Sequence, residues 1–308
     1  MFNLPDGFLT SFLKSQLFTT LPYPTHSFTG QTILITGANV GLGLEAARHF
    51  VRLDAAKVII GCRNTTKGEA AKLSIEESTK RQNVIEVWEV DLSSYDSVKA
   101  FCKKAEGLDR LDCVVENAGI AVPVFEEVEG MESTITVNVI STFLMALLLL
   151  PILRTSGLKH NITPHLTIVA SDAHFQASFK EQSAPSIFTA LSQPSHFQSD
   201  RYNVSKLLEI LVIRELAPAL TSSNNKPPII LNTLTPGFCH SELTRHAKFP
   251  LSFFVMIGKA ILARSTEVGS RTLVAAAAAE EETNGTYMAD CVVAEPSSPE
   301  WAMWLQNA

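Results

Sequence analysis

The sequence predicts an α/β fold: one doubly wound, parallel, seven-stranded sheet with helices on both faces. Three observations carry that prediction. Short runs rich in Val, Ile and Leu alternate with segments of helical periodicity along most of the chain. The runs are almost unbroken in apolar residues, which strands covered on both faces require and half-exposed strands do not. The first run, Thr32–Thr36, opens into a glycine turn that leads directly into a helical pattern. Such alternation calls for right-handed crossovers between parallel strands.

The strands are expected at 32–36, 57–61, 84–90, 111–116, 166–170, 229–234 and 287–293. The helices are expected at 43–53, 66–78, 94–105, 131–153, 202–220 and 266–279. No linker or composition break divides the chain. Residues 1–30 read as an N-terminal arm and 31–308 as a single domain, with irregular insertions at about 172–201 and 240–264. In the arm, Phe8, Leu9, Phe12, Leu13, Leu17 and Phe18 recur at near-helical spacing. This is a short amphipathic helix expected to dock on the body of the protein; attachment to a membrane surface is the lesser reading, since it carries one lysine. The apolar stretch 135–153 approaches membrane-spanning length, but Asn138, Ser141, Thr142 and Pro151 make it a buried core helix rather than an integral span.

Composition excludes several classes. A net charge of −6 without a basic cluster argues against a nucleic-acid partner. The five cysteines are odd in number and scattered, so free thiols in a reducing, cytoplasmic compartment are expected rather than a disulfide framework. His174, His196 and His240 flank the presumed pocket without metal-ligand spacing, and no metal site is expected.

The chemistry begins at the glycine turn. Gly37, Gly41 and Gly43 lie between a strand and a helix, the arrangement that brings backbone N–H groups and a helix N-terminus onto a pyrophosphate. Asn39, Val40 and Leu42 fill the spacing, with Leu42 where the backbone would meet the phosphates. Further on, Tyr202 and Lys206 share a helix face at i and i+4. A free tyrosine, with a pKa near ~10, is a poor acid–base group at neutral pH. A lysine ammonium one turn away favours the phenolate and lowers that value. Ser171, just past a strand, is placed to donate to a substrate oxygen. Both insertions follow strand C-termini and carry apolar residues (Phe175, Phe179, Phe188 and Phe197; then 249–261), which suggests a substrate pocket or lid.

On these residues the chain resembles the short-chain dehydrogenase/reductase family over about residues 31–293. Thr36–Gly43 is similar to the family's T-G-x-x-x-G-x-G loop, and Asp91-Leu92 to its acidic residue near the adenine. Asn117-Ala118-Gly119 completes an N-N-A-G motif in which Glu116 replaces the first Asn. Asn138, Ser171, Tyr202 and Lys206 match the catalytic tetrad. Pro236-Gly237 and Ser241 match P-G-x-x-x-T, with Ser for Thr. The Ser-Asp-Ala-His run at 171–174 resembles the retinol-dehydrogenase-like group and its fungal secondary-metabolism relatives. The tetrad's serine and tyrosine are separated by 31 residues (202 − 171), more than in shorter members. The resemblance implies a Rossmann fold, a nicotinamide cofactor and a homodimer. It further implies a proton relay in which Tyr202 exchanges the proton, Lys206 holds the ribose, Ser171 positions the substrate oxygen and Asn138 holds a water.

Cofactor choice has its own physical argument. NAD-preferring enzymes place an acid after the second strand to accept from the ribose 2′-OH. Here Cys62-Arg63-Asn64 follows, and the Arg63 guanidinium suits a 2′-phosphate. Lys67 would reinforce it, so NADP(H) is expected. The sequence thus points to an NADP(H)-dependent oxidoreductase interconverting a ketone or aldehyde and an alcohol on an apolar or polyketide-like small molecule. A non-redox enzyme of the same fold (epimerase, cyclase or isomerase) and a nucleotide-sensing interaction protein are the alternatives.

Overall fold

The computed structural model describes residues 7–221, 228–241, 243 and 251–296. Its centre is a mostly parallel sheet in the order β10 (Val292–Ala294), β9 (Tyr287–Ala289), β8 (Ile230–Leu234), β7 (His165–Val169), β4 (Cys113–Glu116), β1 (Thr32–Thr36), β2 (Lys57–Cys62), β3 (Ile85–Glu89). The strands β1, β2, β3, β4, β7 and β8 lie where the apolar runs placed them. Every residue of β1, β4 and β8 is buried, which accounts for the lack of polar alternation in their sequences. From β1 the chain winds outward through β2 and β3, then returns beside β1 as β4 and winds the other way through β7 and β8. The reversal between β1 and β4 is the switch point at which open sheets of this kind leave a crevice.

Eight strands form the sheet, one more than expected. The run 287–293 is two strands, β9 (Tyr287–Ala289) parallel to β8 and β10 (Val292–Ala294) antiparallel to β9. Asp290 and Cys291 between them take φ of 51° and 68°, folding the strand back on itself. A second departure lies at 131–153. Met131–Glu132 forms β6, paired with β5 (Glu127–Val128) in a hairpin, and the helix starts only at Ser133. The buried Glu132 carboxylate caps it by accepting from Thr134 N and Ile135 N. α5 (Ser133–Ile135) continues through a π-helical turn, Thr136–Ser141, into α6 (Thr142–His160).

The remaining helices are α1 (Phe8–Phe18), α2 (Gly41–Arg52), α3 (Thr65–Thr79), α4 (Tyr95–Ala105), α7 (Ile187–Leu191), α8 (Arg201–Thr221), α9 (Leu251–Leu262) and α10 (Thr266–Ala277). Two apolar layers hold them to the sheet. On one face α4, α6 and α8 pack around Leu34, Ile59, Val114 and Leu166. On the other, α2 and α10 pack around Ile33, Ile35, Val115 and Leu234. Ser133–His160 is long and apolar enough to cross a bilayer, yet two-thirds of its most apolar window (67%) is buried within the protein.

The first insertion is built from 3₁₀ turns and α7, and Phe179 within it is fully buried: a core residue, not part of a pocket wall. Arg201, at the start of α8, forms a buried ion pair with Glu181 that ties the insertion to the helix. Of the second insertion α9 and the flanking segments are described; residues 242 and 244–250, which include part of the apolar stretch expected there, lie outside the described residues.

Candidate active site

The strand ends at the switch point bring the candidate residues to one edge of the sheet. The turn after β1 and the turn after β4 are clipped together. Thr36 Oγ1 accepts from the backbone N–H groups of Asn117 and Ala118, both at 3.0 Å, and Asn117 Nδ2 donates to Thr36 O at 2.9 Å. Asn117 and Ala118 therefore act first on the glycine loop itself. Gly119 packs against both Asn138 and Lys206.

The helix that follows the glycine turn is prepared for an anion. α3, α4 and α10 begin on Asn64, Ser94 and Ser265, whose side chains cap the first turn. α2 begins on Val40, with no side-chain cap and no acidic residue in its first turn. Its leading N–H groups are left for another acceptor. Gly41 has φ +62°, and a Cβ built on it would meet nothing within 4 Å. The open space lies where a phosphate would approach the backbone, so the residues present fit a dinucleotide. Asp91 lies beyond β3 and accepts from Ser93, while Leu92 O accepts from Ser141 Oγ. Arg63 and Lys67 are exposed beyond β2, and Lys67 N is bonded by the Asn64 cap.

Tyr202 lies beside Ser171, with Lys206 one turn along the same helix. On a side chain of intermediate exposure, the Tyr202 hydroxyl faces the Ser171 side chain. The direction of its acidity differs from expectation. Desolvation pushes the Tyr202 hydroxyl above the usual tyrosine range, and the opposing pull of Lys206 and of Ser171 does not overcome it. Lys206 Nζ lies 5.8 Å from the Tyr202 ring centre, and its three donors go elsewhere: to Val169 O at 2.8 Å and to Glu209 Oε1 and Oε2 at 2.8 and 3.0 Å. Asn138 sits in the π-helical turn, a feature frequent at functional sites. Its amide braces the loop after Gly119, accepting from Ile120 N and donating to Ile120 O and Ser205 Oγ. Both side-chain N–H groups are thereby committed, so a relay water would not be held by them.

Beyond β8, Gly237 N donates to Thr235 Oγ1, and Pro236 O accepts from Cys239 Sγ. Ser241 N turns back onto Cys239 O, and Ser241 O accepts from Lys259 Nζ. His174 is not a pocket residue. It is 1% exposed, its Nδ1 bonds Ser171 O at 2.7 Å, and burial pushes its pKa down to about 4, so it stays neutral as a brace for the serine's backbone. Asp172, the residue after Ser171, accepts from Tyr287 OH at 2.7 Å and ties the same loop to β9.

Three contributions to this edge were not placed by the sequence, although the N-terminal helix itself was expected to dock on the body. α1 covers this edge: Phe8 packs on Phe175 (ring centres 4.9 Å apart) and Phe12 on Phe238 (6.5 Å). Arg264 donates to Ser15 O at 2.7 Å, anchoring α1 beside the Pro236-Gly237 turn. Glu209 and Tyr287 are the other two. Glu209 carried a signal, being a carboxylate on an otherwise apolar helix face one turn from Lys206. Tyr287 looked like any strand aromatic. A cavity of about 280 Å³ opens within the first insertion, lined by Lys180, Glu181, His196 and Gln198, and none of the candidate cofactor or catalytic residues borders it.

Residues 31–178 match the family model for short chain dehydrogenases. The chain is 49% identical over 296 residues to the short chain dehydrogenase atnD of Emericella nidulans, covering 94% of this chain and 93% of that one. It is 43% identical to the short-chain dehydrogenase anuD of Penicillium roqueforti, covering 91% and 74%. Among solved structures it is similar to a Pseudomonas aeruginosa RhlG/NADP active-site complex, with a TM-score of 0.64, 23% identity, and 87% and 97% of the two chains covered. It is also similar to a Burkholderia phymatum short chain dehydrogenase/reductase in complex with NAD, with a TM-score of 0.63, 17% identity, and coverage of 86% and 90%. At these identities the two structures speak for the fold alone.

Proposed function

Because the chain belongs to the short-chain dehydrogenase/reductase family, we propose that it is an NADP(H)-dependent oxidoreductase interconverting a carbonyl and an alcohol on an apolar, polyketide-like small molecule. The observation that carries this reading is the Tyr202 hydroxyl facing Ser171, with Lys206 one turn away, at the switch-point edge of the sheet. Ser171 would hold the substrate oxygen, and Tyr202 would give it a proton in reduction or take one in oxidation. The Lys206 ammonium would favour the phenolate that this leaves behind. The nicotinamide, when bound, would supply or accept the hydride. The open glycine turn, the uncapped start of α2 and the Asn117 clip would hold its pyrophosphate, and Asp91, Leu92, Pro236, Gly237 and Ser241 would border its two ends.

Arg63 supports NADP(H) over NAD(H), since no acid follows β2 and an exposed guanidinium binds a phosphate bidentately. With a panel of carbonyl substrates, the wild-type protein is expected to turn over faster per unit concentration with NADPH than with NADH. Arg63→Ala should cut that preference by about 10-fold or more, the loss of one charge-assisted contact. Equal use of the two cofactors by the wild type would refute the assignment of Arg63.

The aromatic face of α1 supports an apolar substrate, since Phe8 and Phe12 lie over Phe175 and Phe238, four residues past Ser171 and one past Gly237. Truncating either ring to alanine is expected to raise KM for apolar carbonyls by about 10-fold while leaving kcat nearly unchanged, because the lost contact is apolar and uniform along the reaction. An unaltered KM would remove α1 from the pocket.

A further inference from the structure

Two buried carboxyl groups take no part in the chemistry above. Glu209, one turn beyond Lys206 on α8, is 1% exposed, and Glu116, the last residue of β4, is 3% exposed. Glu209 grips the Lys206 ammonium with both oxygens. Glu116 Oε1 is buried without a hydrogen-bond partner, and it stands where the family's motif has an asparagine. Burial, with the Glu209 charge, holds the Glu116 carboxyl well above the usual carboxylate range, so it keeps its proton. Burial likewise pushes Glu209 up to about 7 in spite of Lys206. Burial works against the Lys206 charge, but Glu209 and then Tyr202 hold its pKa above the ordinary lysine value. The other groups that face this cluster are Tyr202 and, across from it, Asp172, whose charge also reaches the tyrosine. Behind Glu116, burial holds the Cys102 thiol protonated, up to about 12.

We propose that Glu209 is a positioning residue for Lys206: ionised, it engages the ammonium and shields Tyr202 from it; protonated, it releases both the charge and the donors of the lysine toward the tyrosine and the ribose. This rests on the oxidoreductase reading for its catalytic consequence, but the switch itself belongs to the cofactor-free protein. The geometry supports it directly, because two of the three lysine donors are held by one carboxylate. The Glu209 charge also opposes ionisation of Tyr202, whereas Lys206 promotes it. As pH rises through neutrality, Glu209 loses its proton, Tyr202 becomes a weaker acid, and proton donation to a carbonyl slows.

Three readouts test this. In the cofactor-free wild type, the infrared carbonyl band of a buried carboxylic acid should grow as pH falls through about 7, and Glu209→Gln should lack that titrating component. The phenolate absorbance assigned to Tyr202, by subtraction of a Tyr202→Phe protein, should have its midpoint lowered by about one unit in Glu209→Gln. With a carbonyl substrate, wild-type kcat should fall as pH rises through neutrality, while Glu209→Gln keeps the low-pH rate and exceeds wild type by about 10-fold on the alkaline side. A wild-type infrared spectrum with no band titrating near neutrality, or the same phenolate midpoint in both proteins, would overturn the proposal, and the first needs no variant to fold. Absence of turnover in the wild type would instead count against the oxidoreductase reading and leave both spectroscopic titrations to decide this one.

Discussion

Tyr202→Phe is expected to lower kcat on the order of 10²–10⁴-fold, the range for removing a general acid–base group, while the protein folds normally and keeps its cofactor affinity. The substitution removes one oxygen. That oxygen faces Ser171 and belongs to a half-buried side chain, and the ring remains to pack as before. None of the hydrogen bonds that clip the glycine loop, Thr36 to Asn117 and Ala118, involves it. Steady-state rates with fluorescence titration of NADPH separate the two effects. Turnover retained within about 10-fold would show that the proton comes from another group.

Gly43→Ala should be the most damaging single substitution in the nucleotide loop. A Cβ there would lie 2.6 Å from Asn117 Nδ2, 2.7 Å from Gly37 O and 2.9 Å from Ala38 Cα, so backbone must move rather than a flexible side-chain end. Relief would pull Asn117 from Thr36 O and unlatch the β1 and β4 turns. Overpacking of this kind costs about 1–3 kcal/mol. That corresponds to a Tm lower by roughly 1.5–5 °C in a chain of this size. Gly41→Ala tests the neighbouring position by a different route. Its methyl meets nothing, but φ is +62°, so the cost is backbone strain of about 1–2 kcal/mol together with loss of the close approach a phosphate needs. Thermal unfolding and NADPH titration of both variants check this. A Gly43→Ala protein as stable as wild type would mean that the clip between the two turns does not hold the loop.

Much of the fold was legible because its strands are buried on both faces, and burial leaves an unbroken apolar run that marks their positions. The boundaries were less legible where a polar side chain overrides periodicity. Glu132 caps the long helix from inside a hairpin, and Asp290 with Cys291 reverse a run that reads as a single strand. At the candidate site, the residues set by local spacing stood out: the glycine turn, and Tyr202 with Lys206 on one helix face. What the sequence could not give was long-range. Nothing in Phe8 or Phe12 says that they will lie against Phe175 and Phe238, and nothing near Asp172 announces Tyr287, 115 residues away. The acidity of Tyr202 was misjudged for a related reason. A helical spacing reveals the neighbouring lysine, but desolvation and the carboxylate that occupies that lysine are properties of the packed structure.

Redox chemistry between NADP(H) and a carbonyl in this pocket would move hydrogen from the cofactor to the product, and isotope transfer reads that movement. NADPH deuterated at the transferable nicotinamide position is incubated with the protein and an apolar carbonyl panel, and the products are analysed by mass. The expected product is an alcohol carrying one deuterium on the former carbonyl carbon, formed in step with NADPH loss and absent with Tyr202→Phe. A converted substrate without deuterium would make the protein a non-redox enzyme of the same fold. NADPH binding with no conversion of any substrate would favour a nucleotide-sensing protein; either result would contradict the redox reading.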